Sequence, residues 1–343
     1  MRKILLLAMS ALALGVLGCP AVAVAFGPQG HEVVGAVADR LLRPPARARV
    51  QALLGMPLRL ASTWADCVKD VMPVAGQGLS YQPDARFVDA CRRFDTPAGR
   101  ARMQSFVARN WSRCTPAASA QACHKTYHYA DVAIQHDHYD RAFAGTSDHD
   151  VVSVLDAAIA VLQGRPAPAP VDIQDQTEAL LLLAHLVGDV HQPLHVGSVY
   201  LDNDGQLVDP GPSGQPVDRR IDTRGGNAIE DGGTNLHAQW DVIPASLDPL
   251  ALPAAMLKAA RAVAATPGPL AQWPTRWASE SVIAAREAYG GLTFTRTGAA
   301  RPGNWVAVVT DRPAHEARRA ALQERQLTLA GARLAQLLNS VWR

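Results

Sequence analysis

The segment QDQTEALLLLAHLVGDV, at residues 174–190, is the most apolar run with helical spacing, and it ends in ionisable side chains. Its leucines and valines predict a helix that is largely buried. His185 and Asp189 are four residues apart, so they lie on one face of that helix. Buried ionisable groups are costly unless they are paired or bind a metal. A fold that accepts this segment must therefore supply partners for both side chains.

The same spacing recurs in NLHAQWD, where His237 and Asp241 are four residues apart. A histidine nitrogen and a carboxylate oxygen on adjacent helical turns can bind one divalent ion, and zinc takes such ligands at about 2.0–2.2 Å. A single pair of this kind is more often a surface ion pair or a capped helix end. Two pairs, together with the histidines of HLVGDVHQPLH, favour metal binding. Pro193 interrupts the first helix, so His195 need not point where His185 points.

Most other segments also have helical periodicity, and the best strand candidate, NWVAVVT at 304–310, is isolated. Helices are predicted at 30–42, 48–55, 58–71, 150–164, 174–190, 280–291 and 315–342. We therefore predict the all-α fold class, with a single mainly helical domain at 26–343. The segments 72–127 and 200–234 lack this pattern and are expected to form long loops, which are usually functional in compact domains. Disorder is the alternative for the second segment.

The first 25 residues predict a cleaved export signal. Two basic residues precede an apolar stretch that is too short for a membrane span, and AVA at 23–25 is a cleavage motif. Cleavage there makes Phe26 the first residue of the mature chain, whereas lipidation at Cys19 is the alternative. No later stretch reaches the roughly 18–20 apolar residues that a bilayer span needs. The expected location is the periplasm or the extracellular medium.

Four cysteines follow the export signal, an even number in an exported chain, which suggests two disulfides rather than a metal cluster. Three pairings are possible. The short local loop favours Cys114–Cys123, which leaves Cys67–Cys91. These bonds would staple an insertion at 67–127.

The charge of the mature chain excludes one class of protein. The export signal carries two of the 33 basic residues, so basic and acidic residues balance at 31 each in the rest of the chain. Proteins that track duplex nucleic acid usually have a basic stripe. A polyanionic substrate must therefore be held locally, for example by metal ions.

Six short motifs follow one another from residue 26 to residue 241. They are FGPQGH, TWAD, YHYAD, HLVGDVHQPLH, RGGN and TNLHAQWD. In this order they resemble the zinc-dependent, single-strand-specific type I nucleases of plants and fungi, which share a fold with the bacterial zinc phospholipases C. The longest motif is the most specific. The chain departs from the family in having Phe26 where tryptophan is usual, and in a longer segment between Asp66 and His128 than the fungal enzymes have.

The resemblance implies a mostly helical fold that binds three zinc ions (Zn2+). The first ion would be held by Asp66, His128, His185 and Asp189. The second would be held by the amino group and carbonyl of Phe26, by His31 and by the shared Asp189. The third, set apart, would be held by His195, His237 and Asp241. His191 is left over, either to support the ligands or to serve the core.

The implied reaction is hydrolysis of phosphodiester bonds in single-stranded DNA or RNA to 5′-phosphate products. Removal of a 3′-phosphate from nucleotides is the related monoesterase reaction. Asp66 and Asp189 would carry the catalytic role, because they hold the zinc ions whose bridging hydroxide attacks phosphorus at neutral pH. The protein is expected to act as a monomer without a stable protein partner.

The sequence is also compatible with two other functions. The first is a zinc-dependent phospholipase C, although that branch ends its ligand set with a glutamate in H-x-x-x-E where this chain has Asp241. The second is an exported zinc-binding protein without catalytic activity. Tyr81, Phe87 and Trp111 are possible platforms for stacking bases of a single strand, and core packing is the alternative for each.

Overall fold

The computed structural model describes residues 26–114, 122–297 and 305–343. The predicted export signal and Cys19 lie outside the described residues. Helices dominate the described chain, which confirms the all-α prediction. None of these helices is both long and apolar enough to span a bilayer. The α-helices are α1 (Pro28–Leu41), α2 (Pro44–Leu54), α3 (Leu58–Ala61), α4 (Trp64–Val68), α5 (Val88–Cys91), α6 (Pro97–Arg109), α7 (Val151–Leu162), α8 (Gln176–Asp189), α9 (Leu236–Asp241), α10 (Ala254–Ala262), α11 (Trp273–Tyr289) and α12 (Arg312–Val341).

Helix α8 lies in the middle of the larger apolar core. Its N-terminus is capped by Asp175, whose carboxylate accepts a hydrogen bond from the backbone N–H of Glu178. From Glu178 onwards every residue of α8 is buried, and the helix packs against α1, α2, α4, α7 and α12. A fully buried leucine contributes about 1.5–3 kcal/mol, so this packing fixes the last turn, with His185 and Asp189, in the interior.

The predicted helix at 58–71 is wrong as a single element. The chain forms α3 and α4 there, separated at Ser62 and Thr63. The carbonyl of Ser62 instead accepts a hydrogen bond of 2.7 Å from Nδ1 of His185. The break therefore connects this segment to α8. The remaining predicted helices are confirmed, although α2 begins four residues and α11 seven residues before the predicted start, whereas α5, α6 and α10 were missed.

The strands are short. They are β1 (Val71–Val74), β2 (Gly78–Tyr81), β3 (Val132–Ala133), β4 (Gly197–Ser198), β5 (Ile229–Asp231), β6 (Thr234–Asn235), β7 (Leu292–Arg296) and β8 (Trp305–Val309). The prediction that the strand near 304–310 is isolated was wrong. Strand β8 pairs antiparallel with β7 and parallel with β5, in a sheet with the order β6-β5-β8-β7. Strand β5 has three residues, too few to show an alternating pattern.

Both favoured disulfides are present, Cys67–Cys91 and Cys114–Cys123. The first joins the residue after Asp66 to the end of α5. The second joins two cysteines that are nine positions apart in the sequence. The segment 72–127 is not irregular throughout, because it contains the β1–β2 hairpin and α6. The segment 200–234 is mostly irregular, as predicted, until β5.

Candidate metal centre

The last turn of α8 supplies the central pair of the site. His185 and Asp189 are fully buried, and Nε2 of His185 lies 3.1 Å from Oδ2 of Asp189. Nδ1 of His185 is bonded to the Ser62 carbonyl, which can only accept a hydrogen bond. The ring proton therefore sits on Nδ1. Nε2 is left to face Asp189 and a second carboxylate, Asp66, whose Oδ1 is 3.7 Å away.

His31 of α1 reaches the same pair from the other side. Its ring stacks on that of His185 at a centroid distance of 3.6 Å, and its Nε2 lies 3.5 Å from Oδ1 of Asp189. This approach requires Gly188, because a Cβ at that position would lie 2.9 Å from Nδ1 of His31. The absence of a side chain at Gly188 thus leaves room for the imidazole of His31 against α8.

His128 completes the cluster around Asp189. It follows the 3-10 turn Cys123–Thr126, and its Nδ1 lies 2.9 Å from Oδ2 of Asp189 and 3.1 Å from Nε2 of His185. Its backbone carbonyl accepts a hydrogen bond of 2.8 Å from Nδ1 of His195. His128 therefore connects the cluster around Asp189 with the next group of candidate ligands.

The separate third group forms where the chain turns after α8. The 3-10 turn Pro193–His195 carries His195, while α9 carries His237 and Asp241. Nδ1 of His237 donates a hydrogen bond of 2.6 Å to the carbonyl of Gly225. That glycine has a φ of 58°, and a Cβ there would lie 2.4 Å from the Leu194 carbonyl oxygen, so the RGGN turn needs glycine.

The two histidines of this group face each other through nitrogens that both lack a proton, so they form no hydrogen bond. Nε2 of His195 and Nε2 of His237 are 3.1 Å apart. Both Nδ1 atoms donate to backbone carbonyls, of His128 and Gly225. Both Nε2 atoms of the neutral rings therefore carry lone pairs that point at each other, an arrangement that a bound cation would stabilise.

All eight side chains predicted as ligands lie in three buried groups. In each group the donor atoms are within 4.8 Å of one another. The groups are His31, His185 and Asp189; Asp66, His128 and His185; and His195, His237 and Asp241. Phe26 was predicted to bind through backbone atoms. Its ring is fully buried, and the next residue, Gly27, donates its N–H to the carbonyl of Asp241 at 2.9 Å.

The electrostatics of the cluster favour the ligand forms of most side chains. Burial and the neighbouring His185 together lower the pKa of His31 to about 3. Burial likewise lowers the pKa of His128 to about 3. Burial raises the pKa of Asp189, but the opposing charges of His185 and His195 leave it well below its usual range. Neutral imidazoles and ionised carboxylates are the forms that bind metal.

His185 is the exception, because its pKa is raised. Burial lowers that pKa, but the carboxylates of Asp189 and Asp66 outweigh burial. A positive charge is therefore favoured at the position of Nε2, between two carboxylates. A proton or a metal ion can supply that charge.

Several polar atoms of the cluster have no hydrogen-bond partner among the described residues. They are both ring nitrogens of His31, Oδ2 of Asp66 and Oδ1 of Asp189. A buried polar atom without a partner costs about 1–3 kcal/mol, and a charged one costs more. Nitrogen and carboxylate oxygen donors are those that zinc prefers, so the residues present fit zinc.

Two side chains at the site were not predicted. Lys69 lies three residues after Asp66, and its Nζ contacts Oδ1 of Asp66 at 2.8 Å. Gln192 is fully buried, and its Nε2 donates a hydrogen bond of 3.1 Å to Oδ1 of Asp241. The i, i+3 spacing from Asp66 could have indicated Lys69. No local signal links Gln192 to Asp241.

The residues that the sequence left undecided lie in the core. His191 donates from Nδ1 to the Val187 carbonyl, and its Nε2 accepts a hydrogen bond of 2.9 Å from Arg333 of α12. It therefore connects α8 to α12. Tyr81 and Phe87 are buried in the apolar core, and Trp111 packs against it. Core packing, the alternative interpretation, describes these three rings.

Comparison with known proteins gives the family. The S1/P1 nuclease family model matches residues 26–343. The chain is also similar to Endonuclease 4 of Arabidopsis thaliana, with 24% identity over 223 residues, which are 64% of this chain and 55% of the plant protein. The chain thus spans about half the length of this relative. The match to the family model covers the described core and every candidate ligand, and the chain belongs to the S1/P1 nuclease family.

Proposed function

We propose that the protein is a zinc-dependent hydrolase that cleaves phosphodiester bonds in single-stranded DNA and RNA and leaves 5′-phosphate products. The same site would remove the 3′-phosphate of a nucleotide. The observation that carries this proposal is the set of three adjoining histidine and aspartate groups, each with its donor atoms within 4.8 Å. Family membership supports a nuclease.

The ligand assignment follows the three groups. Asp66, His128, His185 and Asp189 would hold one zinc ion, and His195, His237 and Asp241 would hold another. A third would be held by His31, Asp189 and the amino group and carbonyl of Phe26. The burial of Phe26 supports this last set, because it fixes the backbone at that end of α1. Asp189 would then serve two ions.

Zinc bound here would supply Lewis acidity toward a phosphodiester and would make water nucleophilic near neutral pH. The protein side chains keep the donor atoms aimed at the site. Carbonyl acceptors hold the Nδ1 proton of His185 and His195, so Nε2 remains available in each ring. Asp66 and Asp189 stay ionised because neighbouring positive charge lowers their pKa, although burial opposes this.

Lys69 would bind the substrate phosphate. Its ammonium lies 2.8 Å from Asp66, and its side chain is 24% exposed, whereas Asp66 is nearly buried. It therefore stands at the border between the cluster and solvent. When Asp66 binds zinc, the ammonium would turn to a non-bridging oxygen of the phosphodiester. Such a contact would offset the negative charge of the phosphate locally, because the chain after the predicted export signal has no excess of basic residues.

The test uses the chain that begins at Phe26, loaded with zinc. It is given a single-stranded oligonucleotide, the same sequence as a duplex, a 3′-nucleotide and phosphatidylcholine under one buffer condition. We expect cleavage of the single strand with 5′-phosphate ends by mass spectrometry, release of phosphate from the nucleotide, and slower cleavage of the duplex. Preferential hydrolysis of phosphatidylcholine would replace this proposal by a phospholipase C. Stable zinc without turnover of any phosphoester would leave a binding protein.

A further inference from the structure

Lysine is rare in this chain. Four of the 33 lysine and arginine residues are lysines, at positions 3, 69, 125 and 258. Two of them stand three residues from a candidate ligand, Lys69 after Asp66 and Lys125 before His128. Lysine presents a compact, mobile positive charge, whereas arginine presents a fixed planar fork. Two of the four lysines are therefore close in sequence to candidate metal ligands.

The β1–β2 hairpin brings the two lysines to one side of the centre. Lys69 follows α4 directly, and β1 begins two residues later. Nζ of Lys125 lies 3.0 Å from the sulfur of Met72 in β1. Met72 is 38% exposed, so this contact is at the surface of the protein. Lys125 therefore lies against β1, close to the point where Lys69 precedes that strand.

Lys125 has no carboxylate within ion-pair distance among the described residues, and its contact is the uncharged sulfur of Met72. Burial lowers the pKa of Lys125, nearby Asp70 raises it, and Lys69 lowers it. Oδ2 of Asp70 is itself bonded to the backbone N–H of Asp84 at 3.0 Å. Lys69 is paired with Asp66, whereas the partly buried ammonium of Lys125 has no such close pair among the described residues, so an added anion would stabilise it.

We propose that Lys125, beside Lys69, binds a phosphate of the substrate strand that is adjacent to the phosphodiester at the metal centre. This rests on the proposed function and extends it to the length of the substrate. A strand with several phosphates would use both lysines, whereas a dinucleotide has one phosphodiester and would use Lys69 alone. The subsite thus favours polynucleotides over dinucleotides, on the side of the centre formed by the hairpin.

The first experiment compares kcat/KM for thymidine decanucleotide and for thymidine dinucleotide, with one internal phosphodiester. In Lys125→Gln we expect the loss on the decanucleotide to exceed the loss on the dinucleotide by at least about fivefold, mainly through KM. The slope of log binding constant against log salt concentration should also become less steep by roughly 0.7, which is the contribution of one phosphate contact on a single strand. Lys125→Arg should recover most of the loss because it keeps the charge. Lys258→Gln on α10 is the matched control.

Equal losses on both substrates, or no loss on either, would overturn the subsite. If the parent cleaves neither substrate, the proposed function fails by itself. A second measurement keeps the two failures apart, because it requires binding and no cleavage. The zinc-loaded protein is acetylated with and without a phosphorothioate decanucleotide, and each lysine is quantified by mass spectrometry. We expect protection of Lys125 with Lys258 unchanged. Equal labelling of Lys125 with and without bound oligonucleotide would overturn the subsite.

Discussion

The side-chain amide of Gln192 joins the two segments that carry the third group of candidate ligands. Its Nε2 donates to Oδ1 of Asp241 at 3.1 Å, while its Oε1 accepts from the backbone N–H of Leu194 at 2.6 Å. Both side chains are buried. The amide is therefore held from both ends, and it fixes the orientation of the Asp241 carboxylate relative to His195, which follows Leu194.

Replacing this amide by a carboxylate should weaken binding of the proposed third zinc ion. In Gln192→Glu a second negative charge faces Asp241 and the hydrogen bond to it is lost. Outer ligand contacts of this kind are typically worth 10–100-fold in metal affinity. We expect one zinc per chain to leave at a chelator concentration about tenfold lower than in the parent, by metal analysis after dialysis. Gln174→Glu, an exposed change of the same charge, is the control. Identical zinc retention in both variants would remove Gln192 from this role.

Asp189 should be the most sensitive carboxylate of the centre. It lies within 3.5 Å of ring nitrogens of His31, His128, His185 and His195. Asp189→Asn removes charge from two proposed ions at once. We expect activity to fall by at least about 100-fold, with zinc content below that of the parent. Asp137→Asn, at an 80% exposed side chain, is the control. Activity near the parent value would exclude Asp189 from the site.

Local periodicity could predict part of this site and not the rest. His185 and Asp189, and likewise His237 and Asp241, share helix faces because they are four residues apart. Nothing local indicates that His31 would stack on His185, 154 positions along the chain, and that placement came from the order of the motifs. The contact of Lys125 with Met72 depends on a hairpin whose residues do not alternate clearly. Such contacts are set by tertiary packing.

The missed elements have the same explanation. Helix α6 buries three side chains, Met103, Phe106 and Val107, so its apolar pattern is weak. The parallel pairing of β5 with β8 joins Ile229 to Trp305 and is not visible in either short segment. Helices α7 and α8 were predicted because they are buried almost throughout and are therefore rich in apolar residues, whereas α12 was predicted because its buried residues recur at helical spacing.

The disulfides should leave no free thiol. The unfolded, unreduced chain that begins at Phe26 should react with none of a thiol reagent, whereas four reactive thiols would contradict both bonds. Each loop closure is worth about 3 kcal/mol in the chain-entropy model. Because Cys67 adjoins Asp66, the double variant C67S/C91S should lower zinc affinity as well as stability. The C114S/C123S variant is its control, since that bond lies farther along the chain from any predicted ligand.

Asp156 of α7 should make stability depend on pH. Burial raises its pKa to about 7, although Arg141, at 3.4 Å, opposes this. The unfolded chain has a value of about 3.9, so the folded state binds more protons between these values. The stabilisation is full below about pH 4 and is lost as pH rises through about 7. The Asp156→Asn variant should therefore melt above the parent at pH 8 and near the parent at pH 4. Asp89→Asn, on an exposed side chain, should give no such change, and an equal Tm difference at both pH values for Asp156→Asn would contradict the shift.

The N-terminal ligand should require an unblocked Phe26. The lone pair of its amino group cannot bind metal once the nitrogen is in a peptide bond, and Gly27 is tied to Asp241 by a hydrogen bond of 2.9 Å. The Phe26 ring also packs against Gly30, where an added Cβ would lie 2.8 Å from Cβ of Phe26. These two contacts therefore hold the backbone of Phe26 in place.

We expect the form that begins at Phe26 to have full zinc and full turnover. One or two residues added before Phe26 should remove the second zinc and most of the activity, although His31 remains. Acetylation of the amino group should do the same without adding a residue. Two residues added after Arg343 are the control. Phe26→Trp should keep its zinc, because only backbone atoms would ligate. Metal analysis, turnover and the verified N-terminal sequence are measured on one preparation of each form. Full zinc and activity in the extended form would show that His31 finds its metal partners elsewhere.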